Sequence, residues 1–127
     1  PDADVAVVTG EGSIQMNIQE LSTCTQYGIA VKIINLNNQA LGMVKQWQDM
    51  QYDGRYSHST TYKDSLPDFT KLMEAYGHVG IKVSKLGDLD DAMREVFALK
   101  DRTVLNFAHP FAITSQPSSG SSDSSRV

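Results

Sequence analysis

The chain has 127 residues, of which 40% are hydrophobic and 20% are charged, and its formal net charge is −4 at pH 7. This length suits one domain with a core of its own, and the negative balance disfavours binding to nucleic acid or to an anionic membrane surface. No apolar run approaches the roughly 20 residues that a membrane helix needs. The single cysteine excludes an internal disulfide and fits a cytoplasmic protein.

The first predicted element is a strand at residues 4–9, whose near-continuous apolar run is typical of a parallel strand covered on both faces. Gly10 and Gly12 break this run, and Ser13 is a candidate cap for a helix at 14–27. The inner face of that helix is expected to carry Ile14, Ile18, Leu21 and Thr25. Because a buried-type strand begins so close to the first residue, we expect the chain to be a piece of a larger subunit.

Gly28 suits the C-terminal cap of that helix, and a second strand follows at 30–36. A loop at 37–42 leads into a short helix at 43–50. Residues 51–66 are polar and aromatic without a clear period, and a loop of this length is more often functional than idle. Two roles are open for three of its side chains, which either order the loop or contact a partner subunit. These residues are Arg55, Tyr56 and His58.

Pro67 lies at the start of the next predicted helix, where its fixed φ is favourable, and Gly77 ends that helix. Its apolar positions are Phe69, Leu72, Met73 and Tyr76. A third strand at Val79–Val83 precedes a helix capped by Asp88. The inner face of that last helix holds Leu89, Ala92, Met93, Val96 and Phe97. A fourth strand is expected at Thr103–Phe107.

The order β-α-β-α-α-β-α-β indicates an α/β fold in three layers, a parallel sheet with helices on both faces. We assign residues 1–107 to this domain. Residues 108–127 form an atypical tail that is rich in serine and is expected to be disordered from about residue 115.

Polar residues follow the first two strands at the point where each strand ends. Gly10-Glu11-Gly12-Ser13 comes after the first strand, and Asn37-Asn38 comes after the second. In open α/β sheets, ligands bind outside the carboxyl ends of the strands, and a turn that opens a helix offers free N–H groups to phosphate. Glu11 would repel a phosphate unless a divalent cation lay between them. Carboxylate and amide oxygens are ligands that Mg²⁺ or Ca²⁺ accepts, so the two strand ends predict a site for a divalent cation, with Mg²⁺ and a diphosphate as the expected occupants.

This arrangement, with Asn38 placed 27 residues after Glu11, resembles the diphosphate-binding motif of thiamine-diphosphate enzymes. Further segments, in order and at family spacing, resemble the catalytic large subunit of bacterial acetohydroxyacid synthase (acetolactate synthase). These segments are 12–21, 41–48, 54–59, 66–69 and 74–77. The resemblance spans about residues 1–105 and implies the thiamine-diphosphate-binding fold.

The resemblance also implies roles for individual residues. Mg²⁺ would be held by Glu11, by the Asn38 side chain and by the Ala40 carbonyl. Thiamine diphosphate would contact Gly10, Gly12, Ser13, Gln39, Ala40, Leu41, Gly42 and Met43. Met43 and Trp47 would line the substrate pocket. No catalytic residue is assigned to this chain, because the family's activating glutamate and its FAD site lie in other domains.

The implied activity is that of a carboligase in branched-chain amino acid biosynthesis. Pyruvate would lose carbon dioxide, and its hydroxyethyl unit would be joined to a second pyruvate or to 2-oxobutyrate. The implied partners are a second catalytic subunit, which completes the active site, and a regulatory small subunit. This chain alone is therefore expected to be inactive.

The sequence departs from the family at two places. The family has Asp where this chain has Glu11, and the extra methylene moves the carboxylate by about 1.5 Å. A rigid Mg²⁺ site tolerates less than that unless the backbone retracts. From about Asn106 onward the sequence leaves the family pattern altogether.

Other interpretations remain open. The chain could belong to a different thiamine-diphosphate decarboxylase or carboligase, or it could be a non-catalytic binding or oligomerisation fragment. Met16 and Met73 are expected to be core residues, and without the resemblance Met43 and Trp47 would be interpreted in the same way. Cys24 lacks a nearby basic cluster and the three histidines lack ligand spacing, so neither a reactive thiol nor a zinc site is predicted.

Overall fold

The computed structural model describes residues 3–60 and 65–99, and the backbone of 103–107. The elements in chain order are β1 (Val5–Gly10), α1 (Glu11–Met16), α2 (Glu20–Tyr27), β2 (Val31–Leu36), α3 (Gly42–Gln51), α4 (Phe69–Ala75), β3 (Val79–Val83), α5 (Leu89–Ala98) and β4 (Thr103–Phe107). A short 3-10 turn at Leu86–Asp88 leads into α5. No helix in the described part combines the length and the apolar composition needed to cross a bilayer. The predicted disorder of the tail lies outside the described residues.

The described strands form one sheet in the order β1-β2-β4-β3, and every pairing in it is parallel. β1 and β2 run in register from Val5 opposite Val31 to Gly10 opposite Leu36. The strands therefore end side by side, which brings the residues that follow Gly10 and Leu36 to one edge of the sheet. The parallel sheet predicted from the alternation of elements is confirmed.

Two apolar clusters lie on opposite faces of this sheet, because Ile33 and Ile34 are consecutive in β2 and so point to opposite sides. Ile33 packs against the cluster built by α1, α2 and α4, which consists of Ile14, Leu21, Phe69 and Met73. Ile34 packs against the cluster of β3 and α5, which consists of Val83, Ala92 and Val96. Helices thus cover both faces, and the predicted three-layer architecture is confirmed.

The prediction that the first strand is covered on both faces is wrong. Val5 is 53% exposed and Val8 is 63% exposed. The physical reason is that β1 lies at the edge of the described sheet, with β2 as its one neighbouring strand. An apolar run reports that a strand can be buried, but it does not report its place in the sheet.

The predicted helix at 14–27 is two helices, because the α-helical conformation is interrupted between Met16 and Glu20. α1 begins at Glu11 with Gly10 as its N-cap, so Ser13 lies within the first turn and is not the cap. The predicted inner face is correct for Ile14, Ile18 and Leu21. It is wrong for Thr25, which is exposed and whose hydroxyl donates to the Leu21 carbonyl and to the Tyr76 carbonyl at 3.0 and 2.9 Å.

The glycines predicted to end helices do so, whereas the polar residue predicted to cap the last helix makes no capping hydrogen bond. Gly28 adopts φ 63° as the C-cap of α2, and Gly77 adopts φ 77° just after α4. Asp88 occupies the N-cap position of α5, but its side chain makes no capping hydrogen bond. The predicted burial of Met16 is wrong, since it is exposed, whereas Met73 is fully buried.

α4 begins at Phe69, two residues beyond Pro67, because Asp68 provides the cap. Its carboxylate accepts from the Thr70 hydroxyl at 2.6 Å and from the backbone N–H groups of Thr70 and Lys71 at 3.1 and 3.4 Å. The Thr70 hydroxyl, followed by these backbone donors, lowers the pKa of the Asp68 carboxyl below its ordinary value. The cap fixes the start of a helix that packs directly on β3.

That packing leaves no room for a side chain at Gly80 in β3. A Cβ there would lie 2.7 Å from both the Cα and the carbonyl oxygen of Thr70. We predict that Gly80→Ala lowers the free energy of unfolding by about 1–3 kcal/mol, because backbone atoms of α4 would have to move. Urea denaturation measures the change.

The matched control is Gly87→Ala, because a Cβ at Gly87 has no atom within 4 Å. We expect that variant to stay within about 0.5 kcal/mol of the original chain. Equal destabilisation by both substitutions would show that helix α4 and strand β3 do not approach as closely as described.

Candidate functional site

A cleft of about 210 Å³ opens where β1 and β2 end. Its lining comprises Gly10, Glu11, Gly12, Ser13, Leu36, Asn38, Ala40, Leu41 and Gly42. The register explains this convergence, because Gly10 lies opposite Leu36 and neighbouring strands are only about 4.8 Å apart. Segments 27 residues apart in sequence therefore face one another across a single cleft.

Most of the residues predicted for this site line the cleft, but three do not. Gln39 belongs to the same loop without lining it, while Met43 and Trp47 lie on α3 and are 76% and 57% exposed. Leu36 lines the cleft and was not predicted. Its position as the last residue of β2, opposite Gly10, was the signal that would have identified it.

Glu11 is the one charged residue of the cleft lining, and it is only 2% exposed. It is the first residue of α1, directly after β1. Among the described residues, no side chain or backbone group donates a hydrogen bond to its carboxylate, and neither described ion pair includes it. A buried carboxylate without a partner is costly, so this position fits a cation supplied from outside the chain.

The opposite wall is a loop shaped by its own asparagines. Asn37 Oδ1 accepts from the backbone N–H of Gln39 at 3.2 Å, and Asn38 Oδ1 accepts from that of Ala40 at 3.0 Å. Gln39, which follows the two asparagines, adopts φ 60°, a left-handed conformation that is uncommon for a residue with a side chain. An amide oxygen has two acceptor lone pairs, so Asn38 Oδ1 keeps one lone pair available to a cation.

The glycines of the first turn leave space that the protein itself does not need. A Cβ on Gly12 would meet the Leu41 side chain at 3.5 Å, and one on Gly10 would meet the Leu36 carbonyl at 3.8 Å. Both are ordinary contact distances, so internal packing does not demand glycine at either position. A ligand that enters the cleft would be the group that benefits from the missing side chains.

A segment at 52–60 supports the loop from behind. The Leu41 N–H donates to the Ser59 carbonyl at 2.7 Å, and Ala40 forms an isolated antiparallel bridge with Thr60. Earlier in this segment, the Tyr56 hydroxyl donates to Asp49 Oδ1 of α3 at 2.5 Å. Of the two readings of the long loop, ordering is thus observed for Tyr56, while contact with a partner subunit stays a prediction.

The Lys45–Asp49 ion pair on α3 joins this hydroxyl. Lys45 Nζ donates to Asp49 Oδ2 at 2.9 Å and to the Tyr56 hydroxyl at 3.1 Å. The Tyr56 hydroxyl, and next Lys45, lower the pKa of Asp49; hydrogen bonds to Asp49 and then to Tyr56 raise the pKa of Lys45. The i, i+4 spacing of Lys45 and Asp49 was a visible signal for the ion pair, but nothing in the sequence indicated Tyr56 as the third member.

No three His, Cys, Asp or Glu side chains gather into a metal-binding group within the part of the chain that the structure describes. A cation beside Glu11 would therefore draw its remaining ligands from neutral oxygens. Asn38 and Ala40 line the same cleft and carry such oxygens. One carboxylate with neutral oxygens and ligand phosphates is a combination that suits Mg²⁺.

The chain matches, over residues 1–107, the family model described as "Thiamine pyrophosphate enzyme, C-terminal TPP binding domain". It is 62% identical over 104 residues to the acetolactate synthase large subunit of Haemophilus influenzae, a match that covers 82% of this chain and 18% of that protein. It is 60% identical over 95 residues to the acetolactate synthase isozyme 3 large subunit of Escherichia coli K12, covering 75% of this chain and 16% of that protein. The chain thus spans less than a fifth of the length of these curated relatives.

A solved structure agrees with these similarities. The chain superposes with a TM-score of 0.72 on the thiamine diphosphate-dependent 4-hydroxybenzoylformate decarboxylase of Rhodococcus jostii. The two are 29% identical, and the match covers 84% of this chain and 20% of that one. The fold expected from the sequence is confirmed by this likeness.

The partnerless Glu11 carboxylate leads to a stability prediction. In the presence of a chelator, Glu11→Gln is expected to raise the free energy of unfolding by about 1 kcal/mol, because it removes a buried charge that no described residue compensates. Urea denaturation in EDTA measures the difference.

Glu20→Gln is the matched control, since Glu20 is an exposed carboxylate on α2. We expect it to leave stability within about 0.5 kcal/mol. If Glu11→Gln instead destabilises the chain in EDTA, the carboxylate has a stabilising partner within the protein. That result would contradict the need for an external cation beside Glu11.

Proposed function

We propose, since the chain belongs to the thiamine pyrophosphate enzyme family as the C-terminal TPP-binding domain, that it anchors thiamine diphosphate through a divalent cation at the ends of β1 and β2. The observation that carries this proposal is the buried Glu11 carboxylate, which has no protein partner among the described residues and shares a cleft with Asn38 and Ala40. A cation would satisfy the carboxylate and at the same time attract a diphosphate.

In this proposal the cation is Mg²⁺, held by the Glu11 carboxylate, the Asn38 side-chain oxygen and the Ala40 carbonyl. Mg²⁺ commonly uses one or two carboxylates and completes its shell with water and phosphate oxygens. Glu11 is the first residue of α1, immediately after the strand, and in this proposal the backbone there retracts to accommodate the longer side chain. The diphosphate would lie against the turn at 10–13 and the loop at 39–42.

Bound thiamine diphosphate supplies an electron sink for breaking and forming bonds next to a carbonyl carbon. The residues of this chain orient the diphosphate end of the cofactor and neutralise its charge through the cation. Met43 and Trp47 follow the cleft loop on α3, and their exposure leaves them available to line a substrate pocket completed by other parts of the protein. We assign no catalytic residue to this chain.

The high identity to acetolactate synthase large subunits supports a specific activity for the whole protein. That protein would decarboxylate pyruvate and join the hydroxyethyl unit to a second pyruvate or to 2-oxobutyrate, in branched-chain amino acid biosynthesis in the cytoplasm. FAD would bind outside this domain. A second catalytic subunit would complete the active site, and a regulatory small subunit would associate with the large one.

A decarboxylase of another substrate class is the rival enzyme function, because a solved structure with this fold is such an enzyme. Its identity to this chain is 29%, against 62% for the Haemophilus influenzae synthase subunit, which favours the synthase. A non-catalytic binding or oligomerisation fragment is the second alternative. Formation of acetolactate-type products from pyruvate plus 2-oxobutyrate by the complete protein separates these functions.

The cation bridge is tested by Asn38→Ala. Calorimetric titration of the chain with thiamine diphosphate is expected to give binding that requires Mg²⁺ and disappears in EDTA. The Asn38→Ala variant should lose at least about 100-fold in affinity. Removing a group that only orients a metal ligand already costs up to about 100-fold, and removing the ligand itself should cost no less.

Asn38→Asp is the matched variant, because a carboxylate keeps an oxygen for the cation and for the Ala40 N–H. We expect it to retain metal-dependent binding. Unchanged affinity in Asn38→Ala would remove Asn38 from the site, and binding that is indifferent to EDTA would contradict the cation bridge itself.

A further inference from the structure

No residue of α3 is fully buried in the described part of the chain. Its large apolar residues face solvent in the described part of the chain: Met43, Val44, Trp47 and Met50. Apolar packing therefore does not fix its orientation there. Since α3 begins at Gly42, which lines the cleft, whatever holds the helix also influences the cleft.

A polar cluster made by Lys45, Asp49 and Tyr56 holds the 52–60 segment against α3. The Tyr56 hydroxyl occupies its centre, donating to Asp49 Oδ1 at 2.5 Å and accepting from Lys45 Nζ at 3.1 Å. The ammonium of Lys45 also lies 4.6 Å from the centre of the Tyr56 ring. One hydroxyl thus joins both members of an ion pair to a loop that has no regular secondary structure between Gly54 and Ser59.

The same segment continues directly to the cleft loop. Gln48 Nε2 donates to the Ser57 carbonyl at 2.9 Å, and two residues later the Ser59 carbonyl accepts from the Leu41 N–H at 2.7 Å. Thr60 then forms its bridge with Ala40. Tyr56 is only four residues from Thr60, a reach of at most about 14 Å, so a shift at Tyr56 is passed on to the loop within a short stretch of chain.

Two buried polar atoms, one on α3 and one on this segment, lack hydrogen-bond partners among the described residues. Gln48 Oε1 and Ser59 Oγ are buried without a hydrogen-bond partner among the described residues. Buried polar atoms without partners disfavour the arrangement that buries them. The observed placement of the segment therefore depends on its other contacts, which include the Tyr56 cluster and the hydrogen bonds of Gln48 with Gly54 and Ser57.

We propose that Tyr56, Asp49 and Lys45 are positioning residues, which fix the 54–60 segment against α3 and thereby set the Ala40 carbonyl and the Leu41 amide at the cleft. They contact no ligand themselves. The consequence for cofactor affinity rests on the proposed function, because Ala40 is there a ligand of the cation. The consequence for loop position does not rest on it.

Tyr56→Phe tests the inference, because it keeps the ring and removes the hydroxyl. Amide hydrogen exchange of the 127-residue chain without cofactor is the first measurement, and exchange at Leu41 should become about fivefold faster, the scale of losing one net hydrogen bond. Exchange in β2 should be unchanged. A uniform acceleration across Leu41 and β2 would mean that the hydroxyl serves general stability, and it would overturn the proposal.

The affinity for thiamine diphosphate with Mg²⁺ is the second measurement, and we expect Tyr56→Phe to weaken it about fivefold. Tyr52→Phe is the matched control, since Tyr52 is exposed in the same segment and its hydroxyl makes no hydrogen bond among the described residues. That control should change neither exchange at Leu41 nor affinity. Faster exchange at Leu41 with unchanged affinity would overturn the assignment of these residues to the cofactor site.

Substitutions of Asp49 provide the rescue test. Asp49→Asn keeps an oxygen that accepts from the Tyr56 hydroxyl and should stay within about twofold of the original chain, whereas Asp49→Ala should reproduce Tyr56→Phe. Equal losses in both Asp49 variants would contradict the central place of the hydroxyl. If the original chain binds no cofactor, the proposed function fails, and exchange at Leu41 alone decides whether the cluster positions the loop.

Discussion

The proposed site depends on the Glu11 carboxylate, which belongs to a buried residue at the end of β1 and has no protein partner in the described part of the chain. In the proposed function a cation would pair with that group, and the neutral oxygens across the cleft have the chemistry to share it. The glycine turn, the asparagine loop and the parallel register all serve to bring these oxygens together.

The sheet brings together the turn at 10–13 and the loop at 37–42, although the two are far apart in the sequence. Parallel pairing from Val5 opposite Val31 to Gly10 opposite Leu36 makes both strands end at one edge. Apolar clusters on the two faces hold the sheet and its helices, while the loop at 37–42 is shaped by Asx-type turns and supported by the 52–60 segment. The rigid layers therefore position β1 and β2, and polar contacts position the loop.

The sequence was informative wherever a local signal had a single physical meaning. The left-handed caps at Gly28 and Gly77 and the inner face of α5 follow directly from glycine's freedom and from helical spacing. Gly10, Glu11, Gly12 and Asn38 in the cleft lining followed from strand ends and turn chemistry, whereas Ala40, Leu41 and Gly42 were expected from the family resemblance. The exposure of β1 could not be foreseen, because a hydrophobic strand does not reveal whether it has neighbours on both sides.

Other features escaped prediction because they join distant residues. Lys32 is 1% exposed within β2, and its Nζ donates to the Leu99 carbonyl at the end of α5, where a cation is favourable. A lysine in an apolar run gives no hint of that partner. The Tyr56 cluster is similar, since a loop tyrosine has no period that would place it against Lys45 and Asp49. The break between α1 and α2 could not be predicted, because no proline or glycine lies between them.

The most direct test of the cation bridge is a crystal structure of the chain with thiamine diphosphate and Mn²⁺ in place of Mg²⁺, located by its anomalous scattering. The account predicts one cation bonded to the Glu11 carboxylate, Asn38 Oδ1 and the Ala40 carbonyl, at distances near the roughly 2.1 Å of such bonds. It also predicts that two diphosphate oxygens and one water molecule complete the six-ligand shell. A cation bound to the diphosphate with the Glu11 carboxylate outside its coordination shell would contradict the account.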